Sequence, residues 1–152
     1  IILCGESAGA TLVLDIPLMA KAAGVPIPGA VIAMSPVTDA VAVEEGTVLE
    51  GLDSSDQVLE VYAPGHDKAD PLISPALGDL SGFPPTFLSV GSTEILLKDS
   101  LTFARNAAKA GCDIRLHVGK DMIHTYPLDL CDYPEAMTAF EEMELFLRQI
   151  LR

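Results

Sequence analysis

The chain has 152 residues, 22 of them acidic and 9 basic, for a formal net charge of −13 with 49% hydrophobic side chains. That length fits one domain with a sizeable core, and so acidic a surface repels phosphate, which argues against nucleic acid or an anionic membrane as partner. Three cysteines, an odd number without metal-ligand spacing, argue against a disulfide framework and point to reduced thiols in a cytoplasmic protein.

Residues 1–4 form a short apolar strand that runs straight into Gly5-Glu6-Ser7-Ala8-Gly9. Cys4, inside that strand, reads as a small buried hydrophobe. The alanine-rich composition predicts a helix over 8–23, closed by Gly24 and kinked at Pro17, which cannot donate to the carbonyl four residues back. After the turn at 26–29, residues 30–34 read as a second buried strand ending at Ser35-Pro36. An irregular acidic region follows over 37–83, with Glu44-Glu45-Gly46, Asp53-Ser54-Ser55-Asp56 and helical potential over 55–62, where Ser54 or Ser55 is the candidate N-cap.

Pro84-Pro85 opens a third strand over 86–90, bounded by Gly91. A helix is predicted from about 97 to 110, stopped by Gly111, and then a fourth strand over 113–118 with Ile114, Leu116 and Val118 on one face and Arg115 and His117 on the other. Pro134 starts a last helix at the position where proline is best tolerated; its Met137, Phe140, Met143, Leu147, Ile150 and Leu151 recur at helical spacing. Alternating strands and helices of this kind predict an α/β fold with a mainly parallel sheet and helices on both faces. No internal repeat, second domain, signal-peptide pattern or bilayer-length apolar run is visible, so stable membrane anchoring is not expected.

Gly5-Glu6-Ser7-Ala8-Gly9 has the Gly-x-Ser-x-Gly form of a tight strand-to-helix turn that exposes a serine hydroxyl at a helix N-terminus. Such a serine is a poor nucleophile unless a base takes its proton and an acid orients and charge-stabilises that base. Glu94 follows the third strand and His124 follows the fourth, so serine, carboxylate and imidazole leave the same edge of a parallel sheet. Each has a competitor. Ser7 as a mere helix cap, Asp99 as the acid, and His117 or His66 as the base all remain open, although His117 lies within a strand and His66 in a Pro-Gly turn. Asp39 reads as an organiser of its loop.

With these residues in place, the chain resembles the C-terminal part of a hormone-sensitive-lipase-like (bacterial family IV) carboxylesterase of the α/β-hydrolase superfamily, starting at the nucleophile-elbow strand. Gly5-Glu6-Ser7-Ala8-Gly9-Ala10 is similar to that family's Gly-Asp-Ser-Ala-Gly-Gly and to the Gly-Thr-Ser-Ala-Gly of a subgroup. Residues 84–97 resemble the strand and loop that deliver the acid, with Glu94 where many members carry aspartate and a subgroup glutamate. Residues 113–124, with Gly119 and Met122, resemble the strand and loop of the histidine, and 35–39 and 70–75 are family-like as well. Lys98 stands where relatives often carry a second carboxylate.

The resemblance implies the C-terminal half of an α/β-hydrolase sandwich, with residues 1–152 forming a partial catalytic domain. The first half of the sheet, the N-terminal cap and the His-Gly-Gly-Gly oxyanion-hole motif would lie upstream, which leaves the backbone N–H of Ala8 as this chain's share of the oxyanion hole. It further implies Ser7 as nucleophile, His124 as base and Glu94 as acid, acting on short to medium acyl esters through an acyl-enzyme. The expected partner is a small-molecule ester, and neither metal nor organic cofactor is implied. The same fold also admits an amide- or thioester-cleaving hydrolase, or a catalytically silent binding module or inactive fragment. Strand 1–4 would present an apolar edge, so a missing N-terminal segment or a homo-oligomer is expected to cover it.

Overall fold

The computed structural model describes residues 1–41 and 61–151. The acidic tracts at Glu44 and Asp53, and nearly all of the helix expected over 55–62, lie outside the described residues. Four strands, β1 (Ile2–Glu6), β2 (Ala30–Met34), β3 (Thr86–Gly91) and β4 (Ile114–Gly119), form one parallel sheet in the order β1-β2-β3-β4. Parallel neighbours require crossovers. Helix α1 (Ala8–Ala23) joins β1 to β2, and α2 (Leu97–Lys109) joins β3 to β4; the single turn α3 (Tyr126–Asp129) and the long α4 (Pro134–Ile150) follow.

The sequence explains which strands are central. Every residue of β2 and β3 is buried, as expected for strands covered on both faces: β2 is an unbroken apolar run, and in β3 Thr86 and Ser89 are buried among apolar neighbours. Because successive side chains point to opposite faces, Val31, Ala33 and Leu88 pack with Leu14 and Leu18 of α1 and Phe103 and Ala107 of α2. Ile32, Met34 and Phe87 pack instead with Ala136, Ala139, Met143 and Phe146 of α4. The molecule thus has three layers and two cores, one on each face of the sheet.

Strand β4 follows the same alternation. Ile114 and Leu116 join the α1–α2 core, while Arg115 lies over the Phe146 ring, 5.4 Å from its centroid, on the α4 side. Helix α1 runs continuously through Pro17, whose ring is fully buried, and closes on Gly24 at φ 64°. Cys4 departs from expectation: it is exposed, because β1 has only β2 as a neighbour among the described residues. Cys112 is half-buried and its thiol donates to the Leu80 carbonyl at 2.9 Å. Among the described residues no helix is long and apolar enough to cross a membrane.

Register places the site. Glu6 lies opposite Met34, Met34 opposite Ser89, and Gly91 opposite Gly119, so β1 and β2 end level, β3 and β4 run two residues further, and all four leave at one edge. The segments leaving those ends are the ones that carry Ser7, Ser35, Glu94 and His124.

Candidate active site

Ser7 sits between β1 and α1 with φ 51° and ψ −122°, a conformation that non-glycine residues rarely adopt and that is held here from both sides. Its N–H donates to the Met34 carbonyl at 2.8 Å, and its own carbonyl accepts from Ala10 and Thr11 at 3.0 and 3.2 Å, which starts the helix. Gly5 makes the turn possible, since a Cβ there would lie 2.3 Å from the Gly9 carbonyl oxygen. A Cβ on Gly9 would meet nothing within 4 Å among the described residues, so only the first of the two glycines is demanded by close approach. The serine side chain makes no capping bond to the helix. It faces His124 instead, with Oγ 2.9 Å from Nε2.

His124 lies on the loop after β4, its side chain 30% exposed, and its Nδ1 is 2.6 Å from Glu94 Oε2. A carboxylate only accepts, so Nδ1 carries the proton toward Glu94 and Nε2 is left with a lone pair toward the serine hydroxyl. The Glu94 side chain is only 2% exposed. Its other oxygen, Oε1, accepts from the Gly91 N–H at 2.5 Å and from the Ser35 hydroxyl at 2.8 Å. Ser7, His124 and Glu94 therefore form one continuous hydrogen-bonded chain.

The two loops that bring acid and imidazole together are stitched along their length. Thr93 donates through both its N–H (3.2 Å) and its hydroxyl (2.7 Å) to the Met122 carbonyl, and the Asp121 N–H donates to Ser92 Oγ at 2.8 Å. A Cβ on Gly91 would lie 2.2 Å from the Met122 carbonyl oxygen and 2.6 Å from that of Ile123, so the loops pack backbone to backbone only because residue 91 is glycine. Asp121 and Thr125 both take positive φ in turning the chain past His124. Sequence reasoning missed this stitching by Ser35, Ser92, Thr93 and Thr125; the one signal was the placement of Ser35 at a strand end beside the candidate residues.

The competing residues occupy other positions. Asp99 is buried at the start of α2, where its Oδ2 accepts from the N–H groups of Thr38 and Asp39 at 2.7 and 3.0 Å and its carbonyl accepts from the Thr38 hydroxyl at 2.8 Å. Desolvation raises its pKa, and those two backbone donors act against the rise. Asp99 is thus an anchor for the loop after β2, the loop that contains Asp39. His117 pairs through Nδ1 with Glu142 Oε2 of α4 at 2.9 Å, tying helix to sheet. His66 is exposed. Ala8 is the first residue of α1, so its N–H is among the helix-start donors that have no acceptor within the helix.

Comparison with known proteins bears on the fold that carries these residues. A family model described as alpha/beta hydrolase fold matches residues 1–128. The chain is 36% identical over 155 aligned positions to an acetyl-hydrolase of Streptomyces hygroscopicus and 32% identical over 160 to an esterase of Acinetobacter venetianus. Each match takes in 96% of this chain and 51% of the relative, so the chain spans about half the length of these curated relatives. Among solved structures, a hormone-sensitive-lipase homologue from a metagenome library superposes with a TM-score of 0.87 at 33% identity, over 99% of this chain and 55% of that one. An esterase/lipase from an uncultured bacterium gives 0.86 at 28% identity, over 99% and 53%.

Proposed function

The chain belongs to the α/β-hydrolase-fold family, in its hormone-sensitive-lipase-like branch, and from that membership we propose that the protein hydrolyses carboxylic esters of short to medium acyl length with Ser7 as nucleophile. The observation that carries this reading is the hydrogen-bonded chain from Ser7 Oγ through His124 to Glu94 at the end of the sheet. Further support comes from the relatives, which are named as an acetyl-hydrolase and an esterase.

In the proposed reaction His124 Nε2 takes the proton of Ser7 as Oγ attacks the ester carbonyl carbon. Negative charge gathers on the former carbonyl oxygen, toward the Ala8 N–H and the positive end of the 16-residue helix α1. Glu94 holds the imidazole in one tautomer and offsets the charge it gains. As the tetrahedral species collapses, the alcohol leaves with the proton returned by His124, and an acyl group remains on Ser7. Water then attacks that acyl group, gives its proton to His124 and releases the acid, while Ser7 recovers its hydrogen. With 30% of its surface exposed, the His124 side chain is open to solvent for the second half-reaction.

Turnover of para-nitrophenyl acetate by the intact protein tests this reading. Ser7→Ala should lower kcat by about 10³-fold or more, with the residual rate coming from binding and the oxyanion donors. Full activity in that variant would contradict the assignment. Turnover on matched ester, thioester and amide substrates fixes the leaving group, and the ester should be fastest.

A further inference from the structure

Ser35 combines three properties that a turn serine has no reason to combine. It is fully buried, it takes φ 53° immediately before Pro36, and its hydroxyl joins two segments far apart in sequence. Positive φ is uncommon for a residue with a Cβ, so this conformation is held against a local preference. What it secures is the side-chain direction. The Ser35 N–H continues the ladder to the Ser89 carbonyl at 2.8 Å, while Oγ reaches Glu94 Oε1 at 2.8 Å and the Thr125 N–H at 3.1 Å.

The polarity of these bonds follows from the donor inventory. The Thr125 N–H can only donate, so the hydroxyl accepts there, and its single proton is left for Glu94. Thr125 follows His124 directly. One hydroxyl therefore grips both the acid, on the oxygen that His124 does not use, and the backbone next to the imidazole.

We propose that Ser35 is a positioning residue for the reaction, fixing Glu94 and the His124 loop relative to one another so that the Glu94–His124 and His124–Ser7 hydrogen bonds exist together. The inference rests on the reading of Ser7, His124 and Glu94 given above. Ser35 touches no reacting atom and acts through Glu94 and Thr125. Without the hydroxyl, Oε1 keeps only the Gly91 N–H, and the Thr125 N–H loses its acceptor. The carboxylate then rocks about one anchor, and the imidazole spends less time aligned with Ser7.

Two variants separate this role from backbone support. Ser35→Ala removes the hydroxyl and keeps the strained φ, whereas Ser35→Gly removes the hydroxyl and relieves the strain. Both should lower kcat on para-nitrophenyl acetate roughly ten- to a hundred-fold, the scale expected when a hydrogen bond to a charged group is lost. KM should stay within about twofold, because no substrate contact is removed. Thermal melts check folding, and if the alanine variant does not fold, the glycine variant decides. Equal kcat loss in both, whatever their melting temperatures, supports the hydroxyl. A glycine variant with parental kcat overturns the proposal. Ser7→Ala in the same assay separates the two levels: if it is inactive while Ser35→Gly is intact, only the Ser35 role falls, and if it retains activity, the reading of the site falls and this inference with it.

Discussion

Glu94 and Asp15 are both buried carboxyl groups on the same sheet-and-helix scaffold, and their surroundings could hardly differ more. Glu94, 8% exposed, has donors on both oxygens: Ser35 and Gly91 on one, His124 on the other. Asp15, 3% exposed on α1, has no hydrogen-bond partner for its buried Oδ1 among the described residues. Desolvation, reinforced by the like charge of Asp70, pushes Asp15 up to about 7. Burial alone therefore does not equip a carboxyl group for the acid role proposed for Glu94. What distinguishes Glu94 is a set of donors aimed at it before any substrate arrives, since an uncompensated buried charge is expelled or neutralised.

The comparison breaks most sharply at Glu94. Glu94→Gln keeps the volume but offers an amide where His124 Nδ1 needs a pure acceptor, so the imidazole loses its tautomer preference. The expected result is a kcat about 10³- to 10⁴-fold lower with the fold retained, measured by ester turnover and a thermal melt. If instead the activity of this variant stays within about tenfold of the parent, Glu94 is no different in kind from Asp15.

A smaller effect is expected at Asp15, and on stability. With its folded-state pKa raised to about 7, the native protein holds a proton that the unfolded chain releases near the ordinary aspartate value. Stability therefore falls as pH rises from about 4 to about 7 and levels off above that. Asp15→Asn mimics the protonated group. It should flatten this dependence and raise Tm by a few degrees at pH 8, leaving Tm near pH 4 almost unchanged. A Tm profile with the same slope as the parent would mean that Asp15 is hydrated or paired in solution.

How far the sequence could carry this account depended on the range of the interactions involved. Strands β2 and β3 were readable because short runs of apolar and β-branched residues bounded by glycine and proline allow little else. Glu94 and His124 were readable as candidates because a parallel sheet sends every strand end to one edge, so position after a strand fixes the neighbourhood. The short turns at Pro75–Leu77 and Tyr126–Asp129 were not, since three or four residues do not complete a hydrophobic period. The exposure of Cys4 could not be read because local composition does not tell how many neighbours a strand has. For Ser35 the sequence shows a strand end and a family-like stretch, and no more. Its partners are 59 and 90 residues away, and nothing local distinguishes a gripping hydroxyl from a turn serine. Asp99 was correctly a rival by type, and only its bonds to the Thr38 and Asp39 amides reveal an anchor.

In the proposed reaction the His124 arrangement makes Ser7 the nucleophile. Treating the intact protein with a fluorophosphonate and mapping the adduct by peptide mass spectrometry tests it most directly. One stoichiometric phosphonyl adduct on Ser7 is expected, matched by loss of ester turnover and nearly abolished in His124→Ala but not in His117→Ala. An adduct on another residue, or labelling of Ser7 that is indifferent to His124, would contradict it.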